Sequence, residues 1–554
     1  MRRILPLFAA LLLPAFAAAQ PANSTPTIQV TSRIVYVDVI VRDSAGQIVH
    51  GLKQNDFHVL EDGKPQQIDY FAEHVYNPAA RVAKAVSVLD FSNTNTPGQA
   101  DAITILLLDL LNTSTSNQVV ARKQMLKFLS ALPPGRRILL FTLTDKLQMI
   151  QSFTGSPELL ADAAKMLKPV SAGQMPQREE VQQEQNAAAE FNRESSPRGH
   201  SPSGATAMDD NVQTQDSDAG LRTYSTIAAL TQLAHIMSGY EGRKNVFWVS
   251  ESFPIALNTT IGGWGQTLSV DAKKMTNFLA NARIAVYPVS VLGLDLGPSL
   301  AAFGGTSANL PEFKVPFFAR GNLKTTMNTI ADQTGGQAIV GTNDFAGEMR
   351  RNLDDGSNYY TLAYQPQSKK WNKQFRSIRV ELTKTGNSLA YRRGYFAYPD
   401  SPSIQNPAQE LRAALQPDTP EFTMLALQSK VEPPNAQHSG VLVHSVLNGA
   451  SLNLIPSADD HRRGQLIVTL VAFSDSPAKP KPQPESPPQT SGVLNLDLDP
   501  AQYQTILKDG IAFTQQLQLP PGRYRLRLGV TDTATCRLGT LDMAIAVPAQ
   551  VANR

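Results

Sequence analysis

Ile103-Thr104-Ile105-Leu106-Leu107-Leu108-Asp109-Leu110-Leu111-Asn112-Thr113-Ser114 is an apolar run that ends in a carboxylate, followed closely by amide and hydroxyl side chains. Apolar apart from Thr104, the part up to Leu108 reads as a strand buried on both faces, as in a parallel sheet. Ligands of open α/β sheets bind beyond the carboxyl ends of the strands. Asp109 stands at that end, and its oxygen-bearing neighbours are of the kind a hard cation takes.

Outward from this strand the chain alternates. Val119–Leu132 predicts a helix, stopped by Pro133-Pro134-Gly135, and Arg137–Leu143 predicts a strand. Pro157–Leu167 and Thr226–Ser238 predict helices, the second ended by Gly239. Strands at Asn245–Ser250 and Ile284–Val291 flank a helix at Ala272–Arg283. A helix at Leu323–Gln333 precedes Gly335-Gly336, a tight turn into a strand at Gln337–Val340. Such alternation predicts a Rossmann-like, doubly wound α/β domain over residues 100–345. Residues 171–219 are rich in Gln, Glu, Ser, Asn and Asp and predict a disordered insertion.

The flanks read as β structure. Val35, Val37, Val39 and Val41 alternate within a β module expected at 28–95, and further strands are expected in 355–398. A C-terminal β-sandwich of immunoglobulin-like type is expected at 405–545, with a Pro-rich extended loop at 476–488.

Composition narrows the class. With 554 residues, 42% hydrophobic and 18% charged, the chain is globular and long enough for several domains. Residues 1–19 carry Arg2 and Arg3, then an apolar run ending Ala17-Ala18-Ala19, a signal peptide that predicts an exported protein, periplasmic or extracellular. No later stretch reaches membrane length, so no integral span is expected. A net charge of +3, two units of it from Arg2 and Arg3, argues against nucleic acid as a partner. The single Cys536 permits no internal disulfide and reads as a small buried side chain.

Other chemistry is thin. The eight His residues show no His-Glu-x-x-His spacing, and His235 reads as helix packing. Ser250 and Ser252 lack a Gly-x-Ser-x-Gly elbow, and no phosphate-cradling Gly-Lys-Ser/Thr loop occurs. The expectation is a chain that is not an enzyme. A hydrolase in the C-terminal region is the remote alternative.

Several blocks together resemble the von Willebrand factor A-related proteins typical of acidobacteria. They are Gly51-Leu52 with Asp56-Phe57 and Glu61-Asp62-Gly63, then Gly242-Arg243-Lys244 running to Ser250-Glu251-Ser252, then Thr334-Gly335-Gly336 with Asn343-Asp344. Tyr359, Tyr364, Phe375-Arg376 and Arg393-Gly394-Tyr395-Phe396 complete the pattern, which covers about residues 28–398. The resemblance implies a Rossmann-like domain that binds a protein ligand in adhesion or recognition, through a metal-ion-dependent site at the strand ends. Its Asp-x-Ser-x-Ser element aligns with Asp109 to Thr113, where Leu111 cannot coordinate. The implied metal set is Asp109, Thr113, Thr223 (with Thr226 as rival) and Glu251, a degenerate site for weakly held Mg2+ or Mn2+ or for no cofactor. Asn112, Ser114, Ser250 and Ser252 would face the ligand. The competing reading makes Asp109 and Ser114 caps of the following helix and Glu251 a solvated loop acid. In that case the protein is a metal-free scaffold or assembly part working through its β modules. Because both ends of such an α/β domain emerge near each other, strands in 28–75 and 357–398 are predicted to pair into one module. Oligomeric state is not fixed by the sequence.

Overall fold

The computed structural model describes residues 33–76, 90–93, 102–132, 136–170, 206–253, 264–292, 317–398, 406–417, 419–435, 437–452, 454–457, 459–474 and 487–548. The signal-peptide segment, most of the expected insertion at 171–219 and most of the Pro-rich loop lie outside them.

The chain opens with strands β1 (Val35–Arg42), β2 (Phe57–Glu61), β3 (Lys64–Gln66) and β4 (Tyr70–His74), then a short β5 (Asp90–Ser92). The α/β domain follows with β6 (Ile103–Asp109), α1 (Thr115–Ser130), β7 (Ile138–Leu143), β8 (Leu147–Thr154), α2 (Pro157–Met166) and α3 (Thr206–Met237). It continues with β9 (Lys244–Ser250), α4 (Trp264–Asn281), β10 (Ile284–Ser290), α5 (Phe317–Thr334) and α6 (Phe345–Asp355). The sheet order is β10-β9-β6-β7-β8, parallel except for β8, which folds back antiparallel on β7. Beyond β10 a parallel bridge joins Val289 to Ile339, where the sequence suggested a strand at Gln337–Val340. This is the strand order of a doubly wound sheet, and helices bury apolar clusters on both of its faces.

Every residue of β6, β9 and β10 is buried, as a central parallel strand requires. The edge strand β8 is mostly half-exposed and carries a register shift, so it lacks the apolar run that marks its neighbours. Helix α3 starts at Thr206, not Thr226, and so occupies residues 206–219 of the expected insertion.

Strands β11 (Tyr359–Tyr364), β12 (Phe375–Leu382), β13 (Ser388–Ala390) and β14 (Gly394–Phe396) then return to the first module. β1 lies between β11 and β13, β11 also pairs with β4, and β2 lies between β3 and β12. The α/β domain is thus an insertion in a β module made of two distant segments, whose shared core includes Val37, Val59, Leu362 and Val380.

The remainder comprises α7 (Pro407–Ala414), β15 (Leu427–Glu432), β16 (Val441–Leu447), β17 (Ile455–Pro456), β18 (Arg462–Ser474), β19 (Gln489–Leu498), α8 (Pro500–Asp509), β20 (Ile511–Leu517), β21 (Gly522–Asp532) and β22 (Leu538–Val547). Two antiparallel sheets, β20-β16-β15-β5 and β17-β18-β21-β22 with β19 on β18, share one core. β5 belongs here, paired with β15, and not to the N-terminal module that the sequence assigned it to. Leu411, Leu415 and Phe422 join the core on one face of the α/β sheet, so this region is fastened to it. At the contact Gly239 lies so close to Thr423 that a Cβ would sit 1.8 Å from the Thr423 carbonyl oxygen. Cys536 is buried, at 4% exposure.

Candidate functional site

At the carboxyl end of β6 the Asp109 side chain is fully enclosed, with 0% exposure. Its Oδ1 accepts the Asn112 backbone N–H at 2.9 Å. Its Oδ2 accepts the Asn112 side-chain amide at 2.9 Å, the Trp248 indole N–H at 2.9 Å and the Ser250 hydroxyl at 3.0 Å. Trp248 and Ser250 reach it together because residues two apart on β9 share a face. Burial pushes the Asp109 carboxyl up to about 6, opposed by the hydrogen bonds from Asn112, Trp248 and Ser250.

The Asn112 amide is the hinge of the cluster. One of its N–H groups goes to Asp109 and the other to the Thr226 hydroxyl oxygen at 2.9 Å, while that hydroxyl donates to the Arg222 carbonyl at 2.7 Å. Thr226, fully buried, is therefore the helix α3 residue that meets the strand end. Thr223, which the sequence alignment preferred, is half-buried one turn earlier. The helix runs through both positions, so Thr223 is not a loop residue, and the face that packs on the sheet through Ile227, Leu230 and Leu233 is the one that carries Thr226 to the strand end.

Glu251 is neither a solvated loop acid nor a partner of Asp109. At 5% exposure its Oε2 accepts the Ser114 backbone N–H at 2.8 Å and the Ser114 hydroxyl at 2.6 Å. It thereby caps the N-terminus of α1 from the end of β9, where a carboxylate is favoured by the helix dipole. Ser114 itself makes no side-chain cap bond, and Asp109 closes the Asp109–Asn112 turn instead of the helix. The Thr113 hydroxyl accepts the Glu251 backbone N–H at 3.1 Å. Gln118 locks the loop from above by donating to the Leu110 and Thr113 carbonyls.

The structure thus brings Asp109, Asn112, Thr113, Ser114, Ser250 and Glu251 together, with Thr226 in place of Thr223. Asn112 and Ser250, expected to face a ligand, are only 3% and 0% exposed: the Asn112 amide nitrogen and the Ser250 hydroxyl bond Asp109, while the Asn112 Oδ1 is buried with no hydrogen-bond partner among the described residues. Ser114 and Ser252 are half-buried at the rim, and Ser116 is exposed beside them. Trp248, another buried member, donates its indole N–H to Asp109 from within an apolar strand. His235, expected in packing, meets the Phe278 ring edge-on at 5.0 Å.

A magnesium-type ion needs near-octahedral oxygen ligands at about 2.0–2.1 Å. Here an N–H donor, the Asn112 amide, stands between Asp109 and Thr226, and Leu111 packs into the core on one side of the sheet. The donor set in this arrangement does not fit a hard cation. Among the described residues no group of three or more His, Cys, Asp or Glu is placed to hold a metal ion.

No family model matches the chain, and no curated protein matches it in sequence. Among solved structures it is similar to a von Willebrand factor type A protein from Catenulispora acidiphila, at 10% identity over 59% of this chain and 73% of that one, with a TM-score of 0.24. An aerotolerance-related membrane protein from Bacteroides fragilis is similar at 10% identity over 46% of this chain and 98% of that one, with a TM-score of 0.24. Proximal thread matrix protein 1 of the mussel byssus, solved with a zinc-occupied MIDAS motif, is similar at 10% identity over 48% of this chain, with a TM-score of 0.25. The chain spans 49% of that mussel protein's length. The strand order and the antiparallel edge strand are those of a doubly wound α/β domain.

Proposed function

We propose that this is an exported, non-enzymatic recognition protein that binds a protein partner at the carboxyl end of its α/β sheet without a tightly held metal. The observation that carries the reading is the Asn112 amide, which takes the place between Asp109 and Thr226 that the implied cation would occupy. The loop is held in shape by hydrogen bonds internal to the chain. The rim of Ser114, Ser116 and Ser252 is the part of this face open to a partner. Among the described residues no helix is long and apolar enough to cross a membrane.

The test has two parts. Up to 10 mM Mg2+ or Mn2+ should move the melting temperature of the mature protein by less than about 1 °C, since only an ion that binds the native state stabilises it. The mature protein used as bait on an extract of the cell envelope should capture the same partner with or without chelator. Capture should be lost in Ser116→Arg/Ser252→Arg. A metal-induced rise of several degrees that disappears in Asp109→Ala would overturn the metal-free reading.

A second reading, a scaffold that works through its β modules, is favoured by strand β19. Among the described residues it is bonded to β18 alone, and it exposes Val493 at 54%. Such an edge can accept a further strand. Capture that survives the Ser116 and Ser252 changes but is lost when Val493 becomes Lys would favour it.

A further inference from the structure

At the opposite end of the sheet, where β9 and β10 begin, the α/β domain meets the β module around a small, partly open cavity of ≈ 10 Å³, with room for about one water-sized body. Tyr36 and Asp38 line it from β1, and Arg243, Arg283, Thr334 and Arg392 line it from the other side and from the approach to β14. Three guanidinium groups therefore share this cavity with one carboxylate.

That carboxylate is already committed. Asp38 accepts Arg283 at 2.5 and 3.2 Å and the Thr361 hydroxyl at 2.8 Å. Arg243 has neutral partners only: its guanidinium donates to the Asn245 side chain at 3.0 Å, to the Tyr287 hydroxyl at 3.1 Å and to the Gly335 carbonyl at 2.7 Å. Arg392 is 6% exposed, and among the described residues neither its Nε nor its Nη1 has a hydrogen-bond partner. Its guanidinium carbon lies 5.9 Å from the centre of the Tyr395 ring, and Tyr364 and Asp38 are near enough to act on its charge. Arg243 and Arg392 converge at Gly335: Arg243 binds the Gly335 carbonyl, and the Arg392 backbone nitrogen lies 2.8 Å from where a Cβ would sit. Lys244, buried beside them and donating to the Tyr240 and Ala282 carbonyls, supplies no counter-charge.

Arginine keeps its charge in protein interiors. Buried charges are paired or neutralised, and an unpaired one costs several kcal/mol. Donors with no acceptor, excess positive charge and open volume coincide at one place. We propose that this cavity is a binding site for one small monovalent anion, a halide or the carboxylate of a small acid. The anion accepts the free N–H groups of Arg392 and balances Arg243, so that it clamps the inserted α/β domain to the β module.

Thermal unfolding of the mature protein tests this, with sodium chloride, bromide or acetate titrated into sodium gluconate at constant ionic strength. Gluconate is too large for the cavity and serves as the background salt. The melting temperature should rise by about 3 °C for each tenfold increase of the bound anion. A response to chloride and bromide identifies a halide site, and a response to acetate alone identifies a carboxylate site. In Arg392→Gln the response should vanish, while stability in gluconate should match or exceed that of the parent, because an uncompensated charge has been removed. A purely structural Arg392 would instead leave the variant weaker in every salt. Equal melting temperatures in all salts, or an undiminished response in Arg392→Gln, would overturn the proposal. Should that variant fail to fold, crystals of the parent grown in bromide and in acetate give the answer: an anomalous bromide peak or a bound acetate beside Arg392 supports the site, and the absence of both rejects it.

Discussion

The two ends of the parallel sheet solve opposite electrostatic problems. At the carboxyl end one carboxylate, Asp109, is surrounded by neutral donors and no cation. At the amino end three guanidinium groups gather around one carboxylate, Asp38, which Arg283 holds well below the usual carboxylate range against the opposing effect of burial. A buried anion can be kept by dipoles alone when four N–H and O–H groups converge on two oxygens. A buried arginine carries five donors and needs acceptors in matching number. The carboxylate of the first end is saturated and the guanidinium groups of the second are left with unused donors, so the strand-end cluster and the features available for a small anion sit on opposite sides of the domain.

Substitutions can break this contrast. The largest effect is expected for Asp38→Ala, which leaves Arg283 without its partner in a nearly dry setting. The urea midpoint should fall by the equivalent of about 3–5 kcal/mol. Asp109→Ala strands the Trp248 indole and two Asn112 donors, all of them neutral, while the Ser250 hydroxyl keeps the Ser252 carbonyl, and should cost about 2–4 kcal/mol in the same measurement. If the two costs came out in the reverse order, the contrast between a charged and a neutral deficit would be wrong.

The contrast can also be sharpened by restoring what the carboxyl end lacks. Leu111→Ser with Asn112→Ala replaces an apolar side chain by an oxygen and removes the amide from between Asp109 and Thr226. The double variant should gain a magnesium-dependent rise in melting temperature of about 2–4 °C that the parent does not show. A further test concerns pH. Asp109 titrates near 6 in the folded state and near the ordinary carboxylate value of about 3.9 when unfolded. Its neutral form favours the folded chain, so its contribution is greatest below about pH 4, is lost as pH rises from about 4 to 6, and is constant above. The melting-temperature difference between the parent and Asp109→Asn should follow that course, and a flat difference over pH 4–6 would remove Asp109 as the titrating group.

How much of this was legible in the sequence depended on how local the signal is. β6, β9 and β10 were readable because strands buried on both faces leave unbroken apolar runs. β8 was not, because an edge strand with half-exposed side chains looks like loop. Helix α6 was missed for a related reason: Phe345, Met349 and Leu353 mark one buried face in an otherwise polar stretch. Asp109 and Glu251 were located because strand ends are local features. The choice of Thr226 over Thr223 depends on helix rotation, set by the packing of Ile227, Leu230 and Leu233 on the sheet, a tertiary contact. The arginine cavity left no signal, because Asp38, Arg243, Arg283 and Arg392 are brought together from four separate segments.

The strand pairings also set a timetable. β1 cannot complete its sheet until residues near 390 exist, and Asn93, just after β5, bonds Leu427, 334 residues later. At synthesis rates of about 5–20 residues per second, the segment around β5 waits roughly 20–70 s for its partner strand. During that interval the Val-rich β1 has no mate and its hydrogen-bonding edge is open. In a chain built this way the first strand is the one whose partners arrive late, so a delay in production would be felt there first.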